Sequence, residues 1–191
     1  MRRELSVCEL SPGEFTSRLD QVIAVYAAAM RPLADMLSGR RSIMAGHAVH
    51  PGFRALTAAE NGCGEMVGFG YGFRGAAGQW WHETVASALI SSHGAAVAAA
   101  WLNDSFEVAE LHVMPEYQGR GIGTELLLRL TSGRPERTAL LSTRDADSPA
   151  RRARSISGWI SGTVPAGEAR RPSPRRAARR RERSGTRSAG R

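Results

Sequence analysis

No lysine occurs anywhere in the 191 residues, so all 26 basic side chains are arginines. That absence excludes a Walker nucleotide loop, which needs Lys-Ser or Lys-Thr after its glycines. No apolar run approaches the roughly 20 residues of a membrane span, although the apolar share of 42% is ample for a core. The N-terminus, MRRELSVCEL, has no apolar signal core, which predicts a cytoplasmic protein. Cysteine is scarce. Cys8 and Cys63 stand apart without metal-ligand spacing and read as two free thiols; no metal site is expected. Acidic residues are scarce only at the C-terminal end, where residues 166–191 carry ten arginines against Glu168 and Glu182. The remaining residues carry sixteen of each sign, so the net charge of +8 belongs wholly to that end. A basic groove on the domain itself is therefore not expected.

What is present is concentrated in residues 105–130, SFEVAELHVMPEYQGRGIGTELLLRL. Ser105–Val113 alternates as a strand, with Phe106, Val108 and Glu110 on one side and Glu107, Ala109, Leu111 and Val113 on the other. Pro115 ends it, having no amide to give a ladder. Gln118-Gly119-Arg120-Gly121-Ile122-Gly123 follows, then a helix with Ile122, Leu126, Leu127 and Leu130 on one face, closed by Gly133 and Pro135. A glycine turn between a strand and a helix N-terminus gathers free backbone N–H groups at the positive end of a helix dipole. That arrangement binds phosphate. The dinucleotide fingerprint is a poor match, because Thr124 stands where a glycine or alanine is required. Three alternating glycines exceed the needs of a turn, since each costs conformational entropy.

The stretch resembles the pyrophosphate loop of the GNAT superfamily of acyl-CoA-dependent N-acetyltransferases. Leu111, Val113, Pro115, Gln118, Gly121 and Gly123 fill every position of that family's pattern. The resemblance, covering about residues 5–150, implies an α/β (α+β) fold: a mixed, mostly antiparallel central sheet flanked by helices, with parallel strands splayed around the cofactor. It implies acetyl-CoA as co-substrate, with the pantetheine arm pairing to the backbone of Leu111, His112 and Val113. Gln118, Gly119, Arg120, Gly121, Ile122, Gly123 and Thr124 would surround the diphosphate. A carboxylate on the central strand, Glu107 or Glu110, would take the proton of the attacking amine. The two are expected on opposite faces, so that only one faces the cleft. An N–H near Val113 would polarise the thioester oxygen. His112 would relay a proton or flank the acyl chain.

Elsewhere the sequence gives a framework. Residues 5–10 read as a strand, and Ser11-Pro12-Gly13-Glu14 as a helix start with a capping box. One helix with Phe15, Leu19, Val22, Ile23, Tyr26 and Met30 on a stripe runs to Pro32, and a second occupies part of 33–50. His47 and His50 lack a third ligand and read as solvent-facing or capping. Residues 53–59 and 65–73 form a hairpin through Asn61-Gly62. Gly68, Gly70 and Gly72 strip one face of its second strand, letting a helix or a ligand approach the backbone closely, with helix packing the safer of the two. Two helices fill 80–102; Trp80-Trp81-His82-Glu83 reads equally as a pocket wall or a satellite core. Residues 137–143 form a strand parallel to 105–113.

Beyond Thr143 the family pattern dissolves. No tyrosine follows Tyr117, so the residue that often protonates departing CoA has no counterpart, and the last sheet strands are missing. The chain divides into a domain over 1–155 and a disordered arginine-rich tail over 156–191. The tail reads as a polyanion- or nucleic-acid-binding arm, as a solvated extension, or as the product of a frame slip near 152–155 in a GC-rich gene. The abrupt break inside a motif favours the slip. The function expected is transfer of an acetyl group to a primary amine, on a small molecule or a protein N-terminus. The alternatives are an impaired acyl-CoA-binding domain or polyanion binding through the tail. No membrane partner is expected, and an exposed sheet edge would allow a homodimer.

Overall fold

The computed structural model describes residues 5–60 and 62–142. The family motif expected after Thr143, the boundary at 155, the arginine-rich tail, the frame slip and Asn61 of the hairpin turn lie outside them. A single sheet runs in the order β1 (Leu5–Leu10), β2 (Arg54–Glu60), β3 (Glu65–Arg74), β4 (Ser105–Val113), β5 (Thr138–Leu141). Each neighbour pair is antiparallel except β4 and β5, which are parallel. Among the described residues no helix is long and apolar enough to cross a membrane.

Before β2 come α1 (Pro12–Ser17), α2 (Leu19–Met30) and α3 (Met36–His47). Ser11 caps α1 as its sequence demands: its hydroxyl accepts from Glu14 N–H at 3.2 Å, and Glu14 returns a bond to Ser11 N–H at 2.8 Å. The single helix expected here is broken in two at Arg18, whose φ of −101° and ψ of 14° leave the helical region. The buried stripe nevertheless continues through Phe15, Leu19, Val22 and Val25, onto one face of the sheet. Phe69, Tyr71 and Phe73 of β3 receive it.

The opposite face is covered by α6 (Ile122–Thr131). The glycine alternation of β3 explains how closely. A Cβ on Gly70 would lie 2.7 Å from Leu111 Cδ1 and 3.7 Å from Leu130 Cδ2; one on Gly68 would lie 3.5 Å from Leu126 Cδ1. The missing side chains therefore let α6 settle on the backbone, as the sequence predicted. α4 (Trp80–His93) and α5 (Ala95–Leu102) form a third cluster, in which Val85, Leu89, Ala98 and Leu102 close over Leu140 of β5.

Two expectations are corrected. Cys8 and Cys63 form a disulfide, their Cα atoms 6.0 Å apart, because β1 lies antiparallel to β2 and the turn after β2 folds Cys63 back beside it. His47 is neither solvent-facing nor a cap. It is half-buried against Phe73, with its Nδ1 3.0 Å from the Tyr71 hydroxyl. Burial, reinforced by neighbouring His50 and by Arg40 and opposed by Glu110, pushes the imidazole down to about 4. The unfolded ring takes its proton below about 6.5, the folded ring only near 4, so stability falls as pH drops through that window and levels off below it. A fully enclosed ring would cost about 3 kcal/mol; with solvent reaching part of this one, about 1–2 kcal/mol is expected. Urea unfolding at pH 7.5 and 4.5 should show that loss, and His47→Gln should remove it from the difference.

Candidate active site

The site grows from an irregularity in β4. Tyr71 pairs with Glu110 but the next residue, Gly72, pairs with Val108, so Ala109 is an extra residue and β4 carries a bulge. Alternation is broken there. Phe106, Val108, Leu111 and Val113 all turn toward α6, while Glu107, Glu110 and His112 lie opposite Phe73, Tyr71 and Phe69 on the other face. The expectation that the two glutamates face opposite ways is therefore overturned: one inserted residue puts both on the same side.

Each glutamate is dressed differently. Glu110 is buried and bound by Arg40 of α3 at 2.7 Å and by His112 Nε2 at 2.5 Å. Arg40 also lies over the Tyr26 ring, 5.0 Å from its centroid, and His112 meets the same ring edge-on. His112 is thus a partner of Glu110 on the α2–α3 side. Glu107 is 2% exposed, and its Oε1 lies 2.7 Å from Nδ1 of His82 on α4. Burial pushes the Glu107 carboxyl above the usual carboxylate range, against the pull of His82. Trp81 belongs to the satellite core beneath α4, while His82, the next residue, reaches the central strand. Of the two readings of the Trp-Trp-His-Glu stretch, the satellite core is the one observed, at Trp81.

The other edge of β4 faces β5. Among the described residues their pairing runs from Ser105 to Val108 and stops at Leu141. Met114 N–H bonds Val67 O on the β3 side, so strand alternation turns the amides of Leu111 and Val113 to the edge beyond that pairing. Gln118 Nε2 donates to Val113 O at 2.9 Å, tying the following turn back to the strand.

That turn is the glycine loop. Gly119 and Gly121 have φ of 73° and 82°, where an L-residue is strained, so two of the three glycines are demanded by the backbone alone. Gly123 has no such φ, and a Cβ there would meet only Val113 at 3.9 Å. Its missing side chain leaves the helix start bare. Gly121 is the N-cap of α6 and supplies no side-chain bond, which leaves the first-turn amides of Ile122, Gly123 and Thr124 pointing outward. Ile122 buries its side chain under the sheet and contributes only its N–H; Thr124 is exposed. Arg120 is exposed, lies 5.1 Å from the Tyr117 ring centroid and donates to Glu116 O. Sequence reasoning missed Arg40 and Tyr26. The one available signal was that Arg40, Met44 and His47 share a face of α3.

A strand that passes through a glycine turn into a bare helix N-terminus, with a parallel strand beside it, has the form of an α/β domain that binds a phosphate-bearing carrier. The sequence pattern of the acetyltransferase (GNAT) family matches residues 24–152, and the chain belongs to that family. It is 34% identical over 166 residues to a GCN5-like protein acetyltransferase of Mycobacterium tuberculosis, covering 76% of this chain and 81% of the relative. Among solved structures, a GCN5-related N-acetyltransferase from Kribbella flavida superimposes with a TM-score of 0.50 at 17% identity, over 75% of this chain and 31% of that one. An acetyltransferase from Pyrococcus horikoshii gives 0.48 at 17% identity, over 74% and 39%. The chain therefore spans well under half the length of either of those two structures. Members of the fold have been solved with acetyl-CoA or coenzyme A. Acetyl-CoA is the family's co-substrate and acetyl transfer its chemistry.

Proposed function

We propose that the chain moves an acetyl group from acetyl-CoA to a primary amine, on a small molecule or a protein N-terminus, by direct attack without a covalent enzyme intermediate. The observation that carries this reading is the β4 bulge, which sets Glu107 and Glu110 on one face of the strand whose far edge offers the Leu111 and Val113 amides. An ammonium must lose a proton before it can attack a thioester, and a buried carboxylate beside the thioester is suited to that task. Glu110 already neutralises Arg40, which leaves Glu107, with its partner His82, as the carboxylate for acid–base work. The Ile122, Gly123 and Thr124 amides hold the diphosphate, with Gly119 and Gly121 shaping the turn, Gln118 fixing it to Val113, and exposed Arg120 exchanging its Glu116 carbonyl for a phosphate. The arm of the carrier enters beside residues 111–113 and runs back along β4 toward Glu107.

The test is thioester-dependent release of free CoA across a panel of primary amines, beside thermal melting of the full chain with acetyl-CoA. At a ligand concentration about 100 times Kd, binding adds about 2.7 kcal/mol and raises the melting temperature. Release with at least one amine is expected. Because no tyrosine follows Tyr117, the second reading is an acyl-CoA-binding domain without turnover. Binding without release for any amine would select it, and no binding at all would remove both.

A further inference from the structure

Glu107 cannot by itself meet an incoming ammonium, because almost none of it reaches the surface. Its ionisable partner among the described residues is His82, whose side chain is 12% exposed. A carboxylate beneath an imidazole accepts from Nδ1–H, fixes that tautomer and leaves the Nε2 lone pair free to take a proton. No hydrogen bond to Nε2 exists among the described residues. Glu83, next on α4, is turned away and accepts from Gly78 N–H at 2.8 Å. Gly75 makes room for the pair: a Cβ there would come 2.5 Å from Ser105 Oγ and collide with the Glu107 carboxylate.

The pair also stands in the right place. Glu107 is opposite Leu140, one residue before the last β4–β5 pair among the described residues. A carrier arm entering at the glycine turn and running back along β4 from Val113 to Ala109 covers four residues, about 13 Å. It would deliver its thioester end to the segment of β4 that carries Glu107 rather than to the turn.

We propose that His82 is the group that takes the acceptor's proton, with Glu107 as the carboxylate that positions it. The inference rests on the N-acetyltransferase reading above. The ammonium gives one proton to Nε2, forming an imidazolium balanced by Glu107. The freed nitrogen lone pair attacks the thioester carbonyl carbon. The C–S bond then breaks, and the CoA thiolate leaves with the electron pair and takes the second N–H proton. The imidazolium finally releases its proton to solvent, so the products are the amide, CoA thiol and one proton.

The experiment uses the full chain carrying His82→Ala, His82→Gln or Glu107→Gln, with an amine that the wild type acetylates. His82→Ala should lower kcat/KM for the amine about 100-fold or more, leave acetyl-CoA affinity within about twofold and abolish the acidic limb of the pH–rate profile. Added imidazole should restore part of its rate and none of that of Glu107→Gln. His82→Gln keeps a polar group at the position and covers failure of the alanine variant to fold. Nitrogen-15 spectra of the wild type should show His82 protonated at Nδ1 and bare at Nε2, a preference that Glu107→Gln abolishes. A His82 variant that keeps both rate and acidic limb overturns the proposal, as does a ring protonated at Nε2. If the wild type binds acetyl-CoA but acetylates no amine, the parent reading fails, and the spectra alone then judge the pair.

Discussion

Replacing Gly121 by valine is expected to weaken acetyl-CoA binding about 100-fold or more, a loss of about 3 kcal/mol, while the chain still folds. Gly121 holds φ at 82° and caps α6 with backbone alone, so every anion bond at that helix start depends on its geometry. Hydrogen bonds to a charged group contribute about 1.5–3 kcal/mol each, and misaiming two first-turn amides accounts for the size of the effect. The backbone strain of a non-glycine residue at positive φ costs about 1–2 kcal/mol of stability, and that cost must be separated from the affinity loss. Gly133 provides the matched control. It lies just past the other end of the same helix with φ of 68°, and like Gly121 it has nothing within 4 Å of a Cβ. Gly133→Val should therefore incur a similar strain at the wrong end of the dipole and leave affinity intact. Calorimetric titration with acetyl-CoA and urea melts on both variants separate the two effects. Unchanged affinity in Gly121→Val, or equal losses in both, would remove the phosphate cradle from the argument.

The glycine turn was legible because its meaning is local. Positive φ, a missing cap and a bare first turn are all consequences of residues 118–124. The Ser11 capping box, the close approach of α6 to β3 and the parallel β4–β5 pair were legible for the same reason: each follows from spacing or chain order. The faces of β4 were not. Alternation assigns every residue from one starting point, and a single inserted residue reverses all that follow it. Ala109 carries no sequence mark of being that residue, since a small apolar side chain fits either face. Two of the three loop glycines also proved to be required by the turn, so the surplus that suggested phosphate binding reduces to Gly123. The partners of the glutamates were hidden for a different reason. Arg40 and His82 lie 70 and 25 positions before Glu110 and Glu107, and only the packing of α3 and α4 on the sheet brings them there.

Cys8→Ser is expected to cost about 4 kcal/mol under oxidising conditions, roughly a thousandfold in the folding equilibrium. The bond to Cys63 closes a sequence separation of 55 residues, spanning α1, α2, α3 and β2, and a loop of that length loses much of its unfolded-state freedom when tied. Two thiols so far apart in sequence gave no hint of pairing. Only the antiparallel docking of β1 on β2 carries Cys8 to the turn that holds Cys63. The double variant gives the sharper test. If the stabilisation belongs to the bond, Cys8→Ser, Cys63→Ser and the two together should all melt at the same urea concentration, because the second change has nothing left to remove. A reductant should bring the wild type to that midpoint and leave the variants unmoved. Additive losses would mean that each sulfur contributes by packing, and coincident melts of oxidised wild type and Cys8→Ser would mean that the tie contributes nothing. The bond joins an edge strand to the hairpin turn and touches neither β4 nor the start of α6, so acetyl-CoA affinity, measured well below the melting temperature, should be the same in all three variants.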